Sequence, residues 1–462
     1  MLTEGQKAKL ARYTEEISAD TAAKKRLAAL FDDGAYTEID AYAKAGDALT
    51  GVVAAYGFVN GTPVYAFSQD KTVKSGAVSK AHAAKICKVL ELASRNGVPV
   101  VGIYDSCGAF VEDGADALNA YGDILMHTSN LSGVVPQIAL IAGVCAGSAA
   151  MIAASADFVV MTEDAELYMA PATAAGTAAA AAKAGVASAV AKDEAEAIAK
   201  VKEIVAFMPQ NNLSPVPEFD FSESGKAAEG NAEEITAAIA DQGSVIELST
   251  DFGTAAYTAL AAVGGATTGI VATNKTDAKL TSDDSAKIAR FVRMCDAFSI
   301  PVVTVVDTKG FEADEATEFA GAVRNIAKVA NAYAEATTAK ISLITGNAYG
   351  SAFVALAGNN ANADMTFAYA DSVVAAMDPT AAAEFLYHDE LKGAADVKAK
   401  RNELAARYAD ESASAFDAAA KGAVDEIITP ADARAKIISV LDISAGKRMN
   451  KRLPKKHSNM PF

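Results

Sequence analysis

Along residues 50–70, TGVVAAYGFVNGTPVYAFSQD, apolar and polar positions alternate, break at Asn60-Gly61 and resume, which predicts a β-hairpin closed by a two-residue turn. The period then changes. Residues 79–96 carry apolar side chains three and four apart, predicting an amphipathic helix, and the apolar run 98–104 predicts a buried strand. A helix over 117–131, a strand over 137–142 and a helix opening at Gly147 follow. Strands alternating with helices of this length predict an α/β protein with parallel strands. Upstream, residues 1–50 read as an N-terminal helix and then, at LFDDGAYTEID, a turn into a strand.

The pattern then repeats. AKICKVLELASRNGVPVVGIYDSCG (84–108) is answered by AKIARFVRMCDAFSIPVVTVVDTKG (286–310), with Asp105 and Asp307 six positions after Pro99 and Pro301. GVCAGSAA (143–150) is answered by GNAYGSAF (346–353), and 156–170 by 363–377. Residues 237–250 echo Leu30 to Asp40. Such self-similarity implies a duplicated domain of about two hundred residues. The Pro- and Ser-rich stretch 209–230 separates the copies, giving domains 1–222 and 223–462. The interval 172–212 begins as an Ala-rich run, 172–182, readable as helix or loop, and becomes an amphipathic helix.

Composition narrows the function classes. A net charge of −17 and a pI near 4.8 argue against nucleic-acid binding, which needs clustered Lys and Arg. The basic cluster is the tail, 447–457. Cys87, Cys107, Cys145 and Cys295 stand singly, outside zinc spacings, and read as reduced thiols of a cytoplasmic protein; no metal site is expected. The N-terminus does not read as a signal peptide. Ile138 to Ala156 is free of charge over nineteen residues, yet Gly143, Gly147 and Ser148 break it, and its twin holds Asn347, Asn359, Asn360 and Asn362, so it reads as buried strand and helix.

The repeated turn carries the candidate chemistry. A buried strand is expected to end at Gly143 or Gly346, and a Gly-Ser-Ala then opens a helix. The first N–H groups of a helix lack intrahelical partners, and small residues let a ligand oxygen approach them, so each turn can act as an oxyanion hole. The same spelling also permits close helix–strand packing. Ser148 invites a serine-hydrolase reading, but the histidines are His82, His127, His388 and His457, and no triad is easily assembled; Ser351 with His388 is a weak pairing. Cys107 in DSCGAF lacks a visible basic partner and reads as a small buried residue. Walker and dinucleotide fingerprints are absent.

Taken together, YGFVNGTPVYAFSQDKTVKSGAVSKAHAAKI (56–86), DSCGAFVEDG (105–114), SGVVPQIALIAGVCAGSAA (132–150), AKIARFVRMCDAFSIPVVTVVDTKGF (286–311), GNAYGSAF and the terminal LPKKHSNMPF (453–462) resemble the carboxyltransferase (β-type) subunits of biotin-dependent acyl-CoA carboxylases and sodium-pumping acyl-CoA decarboxylases. The resemblance implies tandem crotonase-like (ClpP/crotonase) domains. It implies that carboxybiotin on a biotin carboxyl carrier protein gives up CO₂ in the site, that the biotin enolate removes the α-proton of an acyl-CoA, and that the resulting enolate captures CO₂. By position, Gly147 and Ser148 would hold the thioester oxygen, and Ser351 and Ala352 the biotin ureido oxygen. Gly108, Ala109, Gly143 and Ala146, with Gly346, Gly350 and Val354, would line the coenzyme A and biotin sites. The partners implied are the carrier, a biotin carboxylase or a membrane decarboxylase subunit, and further copies of the chain in a dimer or hexamer, each site lying between the first half of one subunit and the second half of another.

This chain departs from that pattern in places. Both turns read Gly-Ser where many members read Gly-Gly, Phe110 replaces the Arg of the motif DSGGARIQEG, and Val354 stands where carboxylases often carry Asp. Biotinylation, ATP-grasp and zinc-ribbon patterns are not visible, so the resemblance implies work with separate partners, in either direction of carboxyl transfer. Two other readings stand beside it: a stand-alone crotonase-type hydratase or hydrolase, with Glu112 or Glu163 as its acid or base, and an inactive CoA-binding subunit.

Overall fold

The computed structural model describes residues 2–170, 174–220, 222–359, 362–447 and 459–460. The terminal motif apart from residues 459–460, the tail from 448 to 457 with His457, and residues 172 and 173 of the Ala-rich run lie outside them. The chain divides into two compact units, Met1–Pro215 and Val216–Phe462.

In the first unit, helix α1 (Glu4–Ser18) opens on a capping box formed by Thr3 and Gln6, and α2 (Ala22–Leu30) turns Ala23, Arg26, Leu27 and Leu30 inward. Strand β1 (Tyr36–Ile39) and a small ribbon, β2 (Lys44–Ala45) with β3 (Ala48–Leu49), lead to the hairpin β4 (Val52–Val59) and β5 (Thr62–Gln69). Its turn holds Asn60 at φ 48° and Gly61 at φ 76°, the doubly positive geometry whose twist suits a two-residue hairpin. Helix α3 (Lys80–Asn96) starts at Ser79, whose hydroxyl accepts the His82 N–H, and stops at Gly97 in the left-handed region. Then come β6 (Val100–Ser106), α4 (Ala115–Leu131), β7 (Gln137–Ala146), α5 (Ser148–Ala153), β8 (Phe158–Thr162), β9 (Glu166–Tyr168), α6 (Ala178–Lys183), β10 (Ala189–Ala191) and α7 (Glu194–Phe207). The sheet runs β1-β4-β5-β6-β7-β8-β10, antiparallel up to β5 and parallel beyond it, with β9 beside the end of β7. Val89, Ile141, Val159 and Met161 lie in the core that this sheet forms with its helices. The described part of the Ala-rich run is a single-turn 3₁₀ helix followed by α6.

The second unit repeats the plan. Helix α8 (Ala232–Ile239), β11 (Ile246–Glu247) and the hairpin β12 (Tyr257–Val263) and β13 (Ala266–Ala272) precede α9 (Ser282–Ala297) and β14 (Val302–Val306). Helices α10 (Glu315–Phe319) and α11 (Ala322–Glu335), β15 (Lys340–Ile344), β16 (Asn347–Tyr349), a π-helical turn at Phe353–Ala357, β17 (Met365–Ala368) and β18 (Val373–Ala375) follow. The sheet order is β11-β12-β13-β14-β15-β17-β19, with β19 at Glu426–Ile427 and β16 pairing β18. Between β18 and β19 stand α12 (Pro379–Leu386), α13 (His388–Lys392), α14 (Val397–Ser412) and α15 (Ala415–Ala420), and α16 (Ala433–Ser444) follows β19.

Two expectations are corrected. The strand expected to end at Gly143 continues to Ala146, because β7 changes partner: Ile138 to Ile141 pair with β8, and Val144 to Ala146 pair with β9. In the second unit the corresponding strand is interrupted, β15 ending at Ile344 and β16 resuming at Asn347. Cys107, expected to be buried, is exposed, since it lies beyond the end of β6. Among the described residues no helix is long and apolar enough to cross a membrane, and the uncharged run 138–156 is divided between β7 and α5.

His82 gives the first unit a pH dependence. It is buried, with Nε2 3.3 Å from the Gln69 amide nitrogen, while the Gln69 amide oxygen accepts the Asp105 N–H, so Gln69 donates to a neutral ring. Burial, reinforced by the charge of Lys85, brings the His82 pKa down from 6.5 to about 3. The unfolded chain binds this proton below pH 6.5 and the folded one does not. This stabilisation is therefore complete above pH 6.5 and is lost toward pH 3, by up to about 1.4 kcal/mol per unit. Between pH 7 and pH 5, urea unfolding should lose about 2 kcal/mol more in the wild type than in His82→Gln. Equal losses in the two proteins would mean that the ring accepts its proton inside the fold.

Candidate active site

Each repeated turn rests on an aspartate, buried in the first unit and half-buried in the second. Asp105, near the end of β6, places its carboxylate under Gly143: a methyl group added there would lie 2.2 Å from Oδ1. The same oxygen accepts the Val144 N–H at 3.4 Å. Its charge is balanced by Arg26 of α2, 4% exposed, whose Nη1 donates to Asp105 Oδ2 at 3.0 Å, while Nη2 donates to Glu194 at 2.6 Å and to the Ala142 carbonyl at 3.3 Å. Burial pulls the Arg26 pKa down, but the bonds to Glu194 and Asp105 outweigh it and leave the guanidinium above its usual value. In the second unit Asp307 lies under Gly346, with 2.3 Å from Oδ1 to an added methyl, and Oδ1 accepts the Asn347 N–H at 2.8 Å and its side-chain amide at 3.3 Å. The α-carbons of Gly143 and Gly346 thus face a carboxylate inside their own units.

At the turn itself Gly147 has φ 62° and ψ −131°, and its N–H donates to the Tyr168 carbonyl of β9 at 2.9 Å. Gly350, at φ 60°, makes the same bond to the Ala375 carbonyl of β18 at 3.0 Å. These bonds move the open donors of the first unit one residue beyond the expected Gly147. Among the described residues, the N–H groups of Ser148 and Ala149, and those of Ser351 and Ala352, meet no acceptor. Ser148 is half-buried and Ser351 exposed, whereas Ala149 and Ala352 lie beneath them. An oxygen arriving at either turn meets the serine N–H first, at the positive end of a short helix.

The neighbouring residues frame the first turn. Gly108 packs over Ala146, a methyl on its α-carbon reaching 3.5 Å from the Ala146 carbonyl oxygen, and Ala109 forms a parallel bridge with Val78. In the second unit Val354 projects from the π-helical turn, 65% exposed. Other chemistry is not assembled. Among the described residues, neither Ser148 nor Ser351 hydrogen-bonds a histidine: His127 Nδ1 lies 2.8 Å from the Asp123 carbonyl oxygen, and His388 opens α13. Burial pushes the Cys145 and Cys295 thiols far up, which makes poor nucleophiles of them. Glu112 is exposed in a 3₁₀ turn, and Glu163 sits just past β8 with its N–H on the Ala191 carbonyl.

Arg26 escaped the sequence reading because AAKKRLAAL looks like a helix with a solvated basic side. The available signal was its spacing: Arg26 falls three after Ala23 and four before Leu30, on the apolar face.

The match to known proteins decides the family. A model of the carboxyl transferase domain matches residues 19–460. The chain belongs to the carboxyl transferase family. It is 35% identical to the methylmalonyl-CoA decarboxylase subunit alpha of Propionigenium modestum, over 97% of this chain and 94% of that one. It is 33% identical to the propionyl-CoA carboxylase beta chain of Cereibacter sphaeroides, over 95% and 93%. Among solved structures it matches a transcarboxylase 12S hexamer assembly, with methylmalonyl-CoA and methylmalonic acid bound, at a TM-score of 0.93 and 33% identity, covering 100% of this chain and 99% of that one. The resemblance read from the motifs holds, and so does the fold of two crotonase-like units. The chain is an acyl-CoA carboxyltransferase.

Proposed function

We propose that this carboxyltransferase moves a carboxyl group between biotin on a separate carrier protein and the α-carbon of a short acyl-CoA of the propionyl/methylmalonyl class. The observation that carries the reading is the repeated turn: two surface N–H donors, Ser148 and Ser351, on equivalent scaffolds, in a chain whose relatives act on methylmalonyl-CoA and propionyl-CoA. The Ser148 N–H, backed by Ala149, receives the thioester oxygen and stabilises the negative charge that gathers on it as the α-carbon becomes nucleophilic. The Ser351 N–H, backed by Ala352, fits a second carbonyl oxygen, and the ureido oxygen of biotin is such an acceptor. When bound, biotin supplies the carboxyl group and the base. Asp105 and Asp307 hold the two turns rigid from below, so the donors are in place before charge develops. The copies of the chain are expected to form a homo-oligomer that works with a biotin carboxylase or a membrane decarboxylase subunit.

The test is to incubate the purified chain with malonyl-CoA, methylmalonyl-CoA and glutaconyl-CoA separately, with and without free biotin, and to follow the decarboxylated acyl-CoA. Turnover of methylmalonyl-CoA that requires biotin is expected. Turnover without biotin would replace the reading with a crotonase-type reaction, and binding without turnover would leave a CoA-binding subunit.

A further inference from the structure

Phe110 stands where the family motif has an arginine, yet the place is not without a cation. Lys74 holds its Nζ 3.9 Å from the centroid of the Phe110 ring. Lys74 is exposed, so its ammonium keeps donors directed away from the ring.

The backbone is bent to put it there. Lys74, Ser75 and Gly76 have φ of 50°, 56° and 69°, three successive left-handed residues of which two are not glycine. Gly76 sits against β6 so closely that a methyl on it would lie 2.2 Å from the Asp105 carbonyl oxygen. The strap is tied to the loop after β6 by three hydrogen bonds: the Cys107 N–H donates to the Ser75 carbonyl at 3.1 Å, the Val78 N–H to that of Gly108 at 2.8 Å, and the Phe110 N–H to that of Val78 at 3.0 Å. Gly108 in turn covers the carbonyl of Ala146, the residue before the Gly147-Ser148 turn. Lys74 and Phe110 are therefore fixed to the wall of the first turn.

The second unit serves as an internal control. The bridge Val78 to Ala109 recurs there as Leu280 to Phe311, which aligns Lys74 with Thr276 and Phe110 with Glu312. A hydroxyl and a carboxylate replace the cation and its aromatic platform. The lysine belongs to the unit whose turn is assigned to the CoA thioester, and not to the other.

We infer that Lys74 is a substrate-recognition residue that binds an anionic group of the acyl-CoA, supplying from the strap the charge that the family motif supplies from position 110. The identity of the ligand rests on the carboxyltransferase reading above. A malonyl-type CoA offers two such groups, its phosphates and its transferable carboxylate, and both are oxyanions that an ammonium recognises in the same way.

The experiment is titration calorimetry of methylmalonyl-CoA and propionyl-CoA into the full chain, the Lys74→Met variant and the Lys74→Arg variant, at low salt and in about 0.5 M salt. Met keeps the apolar stem on Phe110 and removes only the charge. Loss of one charged contact is expected to raise Kd for methylmalonyl-CoA about tenfold in Lys74→Met. Lys74→Arg should restore most of the affinity, and the gap should shrink at high salt, where the charge is screened. An equal loss with propionyl-CoA would identify the phosphates as the partner; a loss confined to methylmalonyl-CoA would identify the carboxylate. Unchanged Kd in Lys74→Met overturns the inference, as does a loss that neither salt nor arginine alters, because that is the mark of a distorted strap. Failure of the unaltered chain to bind either thioester would instead sink the carboxyltransferase reading on which the inference stands.

Discussion

Replacing Ser148 with proline is expected to lower kcat by about 100- to 1,000-fold, the effect of removing one oxyanion donor, about 3–4 kcal/mol of transition-state stabilisation. A backbone donor is usually beyond the reach of mutagenesis, but the geometry here permits it. Ser148 is the first residue of α5, a position where proline is tolerated because the N–H has no intrahelical partner. The residue before a proline must avoid the helical region, and Gly147 already does, at φ 62° and ψ −131°. Substituting Gly147 itself is less informative, because that backbone conformation suits only glycine and any side chain adds strain to the chemistry being tested. The informative comparison is Ser148→Pro, Ser148→Ala and the wild type in biotin-dependent decarboxylation, with urea midpoints alongside. Ala removes the hydroxyl and keeps the N–H, so it should stay near wild-type activity. If Ser148→Ala fell as far as Ser148→Pro, the hydroxyl would be the working group and the donor assignment would be wrong.

The second large effect concerns stability. Arg26→Met should destabilise the first unit by about 3–5 kcal/mol, because it strands the carboxylate of Asp105 in a buried site. Glu194 is half-exposed and can turn to water, but Asp105 cannot. The nearest remaining cation is Lys71, 3.8 Å from Oδ2 and largely in solvent, where a pair contributes little. The double variant Arg26→Met/Asp105→Asn removes both charges and keeps an oxygen for the Val144 N–H, so it should recover part of the loss. Urea denaturation of the two single variants and the double variant reads this as a coupling energy. Additive losses would show that the pair is not what holds the turn.

These two sites mark where the sequence was legible and where it was not. The hairpin at Asn60-Gly61, helix α3 between Ser79 and Gly97, and the duplication are written in local spelling, since each depends on residues adjacent in the chain. The Gly-Ser turns were legible for the same reason. The end of β7 was not: Gly143 looks like a terminator, and only the distant Asp105 reveals that the glycine makes room for a carboxylate while the strand runs on. The one-residue displacement of the donors was equally hidden, because it is imposed by the Tyr168 carbonyl, which β9 brings alongside. Cys107 reads as buried because no basic partner is visible for it in the sequence, but the loop leaves the sheet at that point and exposes it.

Among the described residues, the aspartate beneath a glycine occurs in both units, but an ion-pair partner for it occurs only in the first. Arg26 balances Asp105, whereas Asp307 is bound by the backbone and side-chain amides of Asn347. The brace under the turn is therefore common to the two copies, and the counter-charge distinguishes them. With the brace kept in both copies, each turn is free to change its surrounding charge independently of the other, and Arg26 is such a change in one copy alone.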